Sequence, residues 1–347
     1  MIVDSNLPLI KPLQTTTTPP TTTPFQSYLT SLHEKYLSLN DGAIADYIPE
    51  LAAAKQEWFG ISVVTTAGKI FEVGDSDRHF TLQSISKALV YGMALEDCGR
   101  EIVRSKVSIK SAGESANTVA LDEQSKLPYN PMVNAGAIAV TDLIKGNSTT
   151  DRLNRILKKF YLYTGREVNI SFPVFLSEKS AGHRHRALAH LLLNYGAIGD
   201  RIEETLDLYF QHSSILVNAK DLAVIGATLA NGGINPITKE RAIDERYVRD
   251  VMSMMIACGL DDYSGEWAYE VGIPAKSGVG GGILAAVPSK LGMGVFSPLL
   301  DATGNSIRGI EVCKDLSRKF GLHLFDTVKA DKNLNEWLDS NESADGW

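Results

Sequence analysis

The sequence predicts an α+β protein in which hairpins near the two ends of one large domain pair into a single antiparallel sheet, with a helical block inserted between them. Three observations carry this. Trp58 to Thr65 and Lys69 to Val73 are runs of β-branched and aromatic residues on either side of an Ala67-Gly68 turn, the signature of a hairpin. Far downstream, Lys276 to Val287 and Gly292 to Phe296 read as a second antiparallel pair, with glycines that allow close backbone approach. Between them, Asp151 to Gly259 places apolar residues at helical spacing, as in Leu153-Ile156-Leu157-Phe160 and Leu222-Val224-Ile225-Leu229.

Taken in order, residues 1 to 24 are threonine- and proline-rich and predict a disordered tail. Phe25, Tyr28, Leu29, Leu32 and Tyr36 then recur at helical spacing until Asn40-Asp41-Gly42, so the folded domain is expected over 25 to 325, and the acidic stretch 326 to 347 as an appended tail. Pro49 disfavours helix at Ile48, which puts Tyr47 on an irregular or extended segment. After the first hairpin comes Phe80-Thr81-Leu82-Gln83-Ser84-Ile85-Ser86-Lys87, the one S-x-x-K in the chain. The residues from Ala88 to Leu95 are apolar nearly all round and Gly99 offers a stop, which predicts a buried helix with Ser84 near its N-terminus. Positions i and i+3 share a helix face, so the Lys87 amine falls within reach of the Ser84 hydroxyl. An amine in a dry pocket loses its charge more readily and can accept the serine proton. Far downstream, Lys276-Ser277-Gly278 supplies the K-[ST]-G element that accompanies S-x-x-K in serine acyl-transfer enzymes.

Asn134 opens a helix of small residues after two prolines, a position that also suits an ordinary cap. Ser115-Ala116-Asn117 forms an S-x-N triplet of little weight. Ser177 to Arg186 collects charge at a helix entrance and reads as a solvated face; its two histidines lack helical ligand spacing and no nearby cysteine supports zinc, so no metal site is expected. Tyr209 lies among apolar residues, where core packing is the default. Arg308 to Phe320 predicts a final helix on the sheet.

A net charge of -7 with no Lys/Arg-rich run argues against nucleic acid or an anionic membrane as partner. Cys98, Cys258 and Cys313 are an odd number in apolar segments, which predicts buried free thiols and a reducing, cytoplasmic setting. Neither a basic, apolar leader nor a membrane-length apolar run is present, so neither export nor insertion is expected.

Gln83-Ser84-Ile85-Ser86-Lys87, Asn130-Pro131-Met132-Val133-Asn134-Ala135-Gly136-Ala137-Ile138, Leu229-Ala230-Asn231-Gly232-Gly233 and Pro274-Ala275-Lys276-Ser277-Gly278-Val279 together resemble the serine-dependent glutaminases, over about Phe25 to Gly321. The resemblance implies a β-lactamase/transpeptidase-like fold and hydrolysis of L-glutamine to L-glutamate and ammonia, without metal or organic cofactor, by a homodimer or homotetramer. It implies Ser84, Lys87 and Tyr209 as catalytic residues, and Tyr47, Gln83, Ser84, Asn134, Glu178, His185, Tyr209, Asp261 and Val279 as the substrate pocket. Glu178 would pair with the substrate ammonium, Asn134 and the tyrosines would hold its carboxylate, and the Ser84 and Val279 N–H groups would stabilise the oxyanion.

Two positions depart from the family pattern: His185 stands where asparagine is usual, and Asp261 where tyrosine is usual. A histidine donates to a carboxylate best when protonated, which predicts weakened or pH-dependent binding. A carboxylate at 261 would repel the substrate carboxylate and keep Lys87 charged, unless Tyr263 swings in as a substitute. The stretch Ser111-Ala112-Gly113 to Ala116-Asn117 is also altered, suggesting a reshaped pocket rim. The alternative from another class is a catalytically weakened, glutaminase-like binding or assembly subunit; a peptidoglycan-directed transpeptidase is disfavoured by the expected lack of export.

Overall fold

The computed structural model describes residues 23–111, 121–326 and 334–339. The chain opens with α1 (Pro24–Leu37), whose start follows from Thr23, which accepts a hydrogen bond from Gln26 N at 3.2 Å, and from Pro24 in the first turn. Thr23 and Pro24 are therefore part of the fold; the rest of the threonine-rich stretch lies outside the described residues. A short α2 (Pro49–Ala52) is followed by the hairpin β1 (Gly60–Thr65) and β2 (Ile70–Gly74), a two-residue β3 (Phe80–Thr81) and α3 (Ser86–Arg104). The helical block comprises α4 (Asn134–Asp142), α5 (Thr149–Thr164), α6 (Phe172–Ala181), α7 (His183–Asn194) and α8 (Ile202–Ser213). After β4 (Leu216–Val217) come α9 (Ala219–Ala230), α10 (Glu245–Cys258) and α11 (Ser264–Glu270). The chain closes with β5 (Ala275–Gly278), β6 (Gly282–Val287), β7 (Leu291–Phe296), α12 (Ile307–Phe320) and α13 (Leu334–Asp339).

The expected joining of the two hairpins is found. One antiparallel sheet runs β2-β1-β7-β6-β5, with Val63 opposite Met293 where the two ends of the domain meet. Because side chains alternate across a strand, β6 sends Ile283 and Ala285 to one core and Leu284 and Ala286 to another. The first core lies under α1 and α12; the second is filled by α3, α5, α9 and α10. A third apolar cluster, from Ala135 to Phe210, holds α4, α7 and α8 together. Helix α9 starts at a capping box formed by Asn218 and Asp221 and lies directly on the strands. At Gly292 on β7 a Cβ would sit 2.0 Å from Ala227 N, so only glycine lets helix and strand approach this closely.

Three expectations change. Helix α3 does not stop at Gly99; the backbone breaks there (φ 78°, ψ 163°) and the helix resumes to Arg104. Ser84 is not in that helix but in a 3-10 turn, Gln83–Ile85, that leads into it. The stretch after Asp326 is not merely appended, since α13 buries Leu334 and Leu338 in the core under α1, and Trp337 packs edge-on against Tyr28 and Phe320. Among the described residues, no helix is long and apolar enough to cross a membrane. The Ser115-Ala116-Asn117 triplet and the altered rim beyond Ser111 lie outside them.

Candidate active site

Ser84 is placed by the strands before it. Phe80 and Thr81 pair with Val217 and Leu216, and Leu82 N donates to Ile215 O at 2.9 Å. The chain then turns sharply at Gln83, which adopts φ 51°, a left-handed conformation that a non-glycine residue holds only when its surroundings fix it. On the other side β5 presses in: a Cβ on Gly278 would lie 2.6 Å from Leu82 O, so glycine is needed for β5 to pack this closely against the turn. Ser84 is left partly exposed while Gln83, Ile85, Ser86 and Lys87 are buried.

A cavity of about 570 Å³ opens over this turn. It is lined by Tyr47, Gln83, Ser84, Asn134, Glu178, His185, Tyr209 and Val279, that is, by every residue expected in the substrate pocket except Asp261. His183, Arg184, Phe210 and Ser213 also line it, although the charged run around Arg184 reads as a solvated face. The clue to Arg184 was its position six residues after Glu178, which carries the chain back over the same cavity.

Lys87 lies beneath the cavity, wholly buried. Its amine donates to Asn134 Oδ1 at 2.7 Å and to Met132 O at 3.1 Å, and not, among the described residues, to Ser84 Oγ. Asn134 Oδ1 also receives the Tyr209 hydroxyl at 3.2 Å, so the first residue of α4 joins the amine to the phenol. Burial draws the Lys87 pKa down to about 7; the charge on Asp261 opposes this and that on Lys276 adds to it. Burial also lowers Lys276 and raises Tyr209, which keeps the phenol protonated.

Tyr47 is half exposed, yet its hydroxyl points inward and donates to Glu178 Oε1 at 2.8 Å. It stands where expected, on an irregular segment before an extended Ile48. Glu178 is buried, which raises its pKa, while hydrogen bonds from Tyr47 and Gln83 pull the other way. His185 leans on the rings of Tyr209 and Phe210, with centroids 5.3 and 5.4 Å away. Burial first, then the charges of Lys87, Arg184 and Arg186, lower its pKa to about 4. The expected protonated donor is therefore a neutral imidazole near pH 7, with one N–H to offer.

Asp261 departs most from expectation. It lines a second cavity, of about 480 Å³, with Asn130, Val133, Ser264 and Ala268. Its carboxylate lies 3.9 Å from the amine of the buried Lys276, and no hydrogen bond from Lys87 reaches it among the described residues. Gln83 and Asp261 share the same left-handed φ of 51°, which at 261 helps turn the chain out of α10. Tyr263 does not take the vacated place: its hydroxyl donates to Glu270 Oε2 at 3.4 Å and it packs against the core under α1.

Residues 42–325 match the family model described as Glutaminase. A glutaminase of Microcystis aeruginosa is 63% identical over 318 residues, covering 92% of this chain and 94% of that protein. One of Trichormus variabilis is 55% identical over 308 residues, covering 89% and 92%. Among solved structures, Mglu in its tris and glutamate form superposes with a TM-score of 0.84 at 43% identity, covering 88% of this chain and 68% of that one. The probable glutaminase YbaS gives 0.84 at 38% identity, with coverage of 87% and 98%. A model match over most of the chain, near-full-length relatives and a shared fold lead to one conclusion: this chain belongs to the glutaminase family, with its β-lactamase-like fold.

Proposed function

We propose that the chain hydrolyses L-glutamine to L-glutamate and ammonia through a serine acyl-enzyme, with Ser84 as nucleophile and Lys87 as its base. The observation that carries this reading is a buried amine, with its pKa near 7, one helical turn from a hydroxyl that faces a cavity of amino-acid size. Ser84 Oγ attacks the side-chain amide carbon and its proton passes to Lys87 Nζ. The C–N bond breaks, Lys87 returns the proton to the leaving nitrogen, and ammonia departs. Water then attacks the ester carbon and gives a proton to Lys87 Nζ; the bond from that carbon to Ser84 Oγ breaks, Lys87 passes the proton to Oγ, and glutamate is released. The N–H groups of Ser84 and Val279 hold the oxyanion. Glu178, kept in place by Tyr47, takes the substrate ammonium, while Asn134, Tyr209, His185 and Arg184 face its carboxylate.

The pairing of Asp261 with Lys276 favours turnover over the alternative of an inactive binding subunit. Two buried amines next to each other do not both hold a charge easily. The carboxylate is spent on Lys276, and although its charge also opposes the lowering of the Lys87 pKa, burial still holds that pKa near 7, so the amine can act as a base. No metal or organic cofactor enters these steps. A catalytic domain over 25 to 325, a homodimer or homotetramer, and a cytoplasmic setting complete the proposal. The test is ammonia release from L-glutamine by the purified chain and by Ser84→Ala. Loss in the variant alone supports the reading; equal release from both overturns it.

A further inference from the structure

One buried titratable side chain has no part in these steps. His212 lies on α8, one turn after Tyr209, with none of its surface exposed and its ring edge-on to that tyrosine at 5.3 Å. Its Nδ1 meets Ser86 Oγ at 2.8 Å and its Nε2 meets Thr141 Oγ1 at 3.1 Å. Ser86 Oγ also bonds the carbonyl oxygen of Gln83 at 2.7 Å, and Thr141 Oγ1 that of Ala137 at 2.7 Å. One imidazole thus ties together the turn that carries Ser84, the helix that begins at Asn134, and the helix that carries Tyr209.

The protons decide how. The four contacts Gln83–Ser86, Ser86–His212, His212–Thr141 and Thr141–Ala137 need four protons. Two hydroxyls and a neutral imidazole supply three, one each. A charged ring would supply the fourth, but burial and the nearby Lys87 hold His212 well below its ordinary pKa, at about 3. One contact must therefore yield. If Nδ1 carries the ring proton, it donates to Ser86, and Ser86 keeps its bond to the Gln83 carbonyl. Nε2 then accepts from Thr141, which releases its bond to Ala137 O inside α4; the other tautomer would instead take the Ser86 hydroxyl from Gln83 O and leave the strained turn with the Ser86 N–H alone on that carbonyl.

We propose that His212 is a positioning residue, present as the Nδ1–H tautomer, which through Ser86 holds the left-handed Gln83 and so aims Ser84 at the substrate amide. This rests on Ser84 being the nucleophile. A displaced nucleophile slows the chemical step while leaving the ammonium and carboxylate contacts intact, so kcat falls and KM does not.

The experiment compares His212→Asn, His212→Leu, Ser86→Ala and Ser84→Ala by kcat, KM and thermal unfolding. Asparagine places a donor near the Nδ1 position; leucine fills the volume without one. The inference expects His212→Leu and Ser86→Ala to lose about tenfold or more in kcat with KM within about threefold, and His212→Asn to keep most of the turnover. If the ring merely fills space, leucine outperforms asparagine, and that order overturns the proposal. So does wild-type kcat in Ser86→Ala, which decides the matter even if His212→Leu fails to fold. If Ser84→Ala remains active, the acyl-enzyme reading falls and takes this one with it; if Ser84→Ala is silent while Ser86→Ala is normal, only this one falls.

Discussion

The cavity above Ser84 and the one that holds Asp261 treat charge in opposite ways. In the first, polar groups are matched among themselves: Tyr47 with Glu178, and Tyr209 and Lys87 with Asn134. In the second, Asp261 Oδ1 has no hydrogen-bond donor among the described residues and relies on an amine 3.9 Å away. The difference teaches where the departure from the family pattern acts. A carboxylate in the substrate cavity would meet the substrate; here it meets Lys276 instead, so it bears on the protonation of the base more than on binding.

Four changes would break or sharpen that comparison. Lys87→Met removes the base and should lower kcat by roughly 10³-fold or more, with little change in thermal unfolding, as measured by steady-state ammonia release. Lys276→Met strips Asp261 of its partner; breaking a buried pair is worth about 3 to 5 kcal/mol, less here because Asp261 is partly exposed, and denaturant unfolding should show the loss. Asp261→Asn has a smaller effect of definite sign. The carboxylate raises the Lys87 pKa, so removing it lowers that pKa below about 7. Since the base must be neutral, the acid limb of kcat/KM should move to lower pH; a limb that stays put would show that the two cavities are electrically separate. Least of all, His185→Asn should change KM by less than about threefold, and wild-type KM should be flat from pH 6 to 8, because His185 titrates near 4.

What could be read from the sequence was local or motif-bound. The β-branched and aromatic runs of β1 and β2 announced strands, and S-x-x-K with Lys276-Ser277-Gly278 announced a buried amine next to a hydroxyl. What escaped depended on tertiary direction. Nothing local shows that a left-handed Asp261 aims its carboxylate at Lys276, or that Lys87 turns to Asn134 and Met132 when Ser84 is also within a turn. His212 is invisible for the same reason, since its partners lie 126 and 71 residues away. Gly99 misled because an isolated glycine can interrupt a helix that packing then restarts.

The contact between Gly292 and Ala227 bears on motion. With no side chain between helix and strand, α9 cannot slide or tilt on β7 without driving backbone into backbone. A sliding joint is thereby denied to the middle of the molecule, and admission of glutamine and departure of its products fall to the segments around Tyr47 and Arg184 at the mouth. In native-state hydrogen exchange, the amides of α9 and β7 should be among the last to open, and those around His183 among the first.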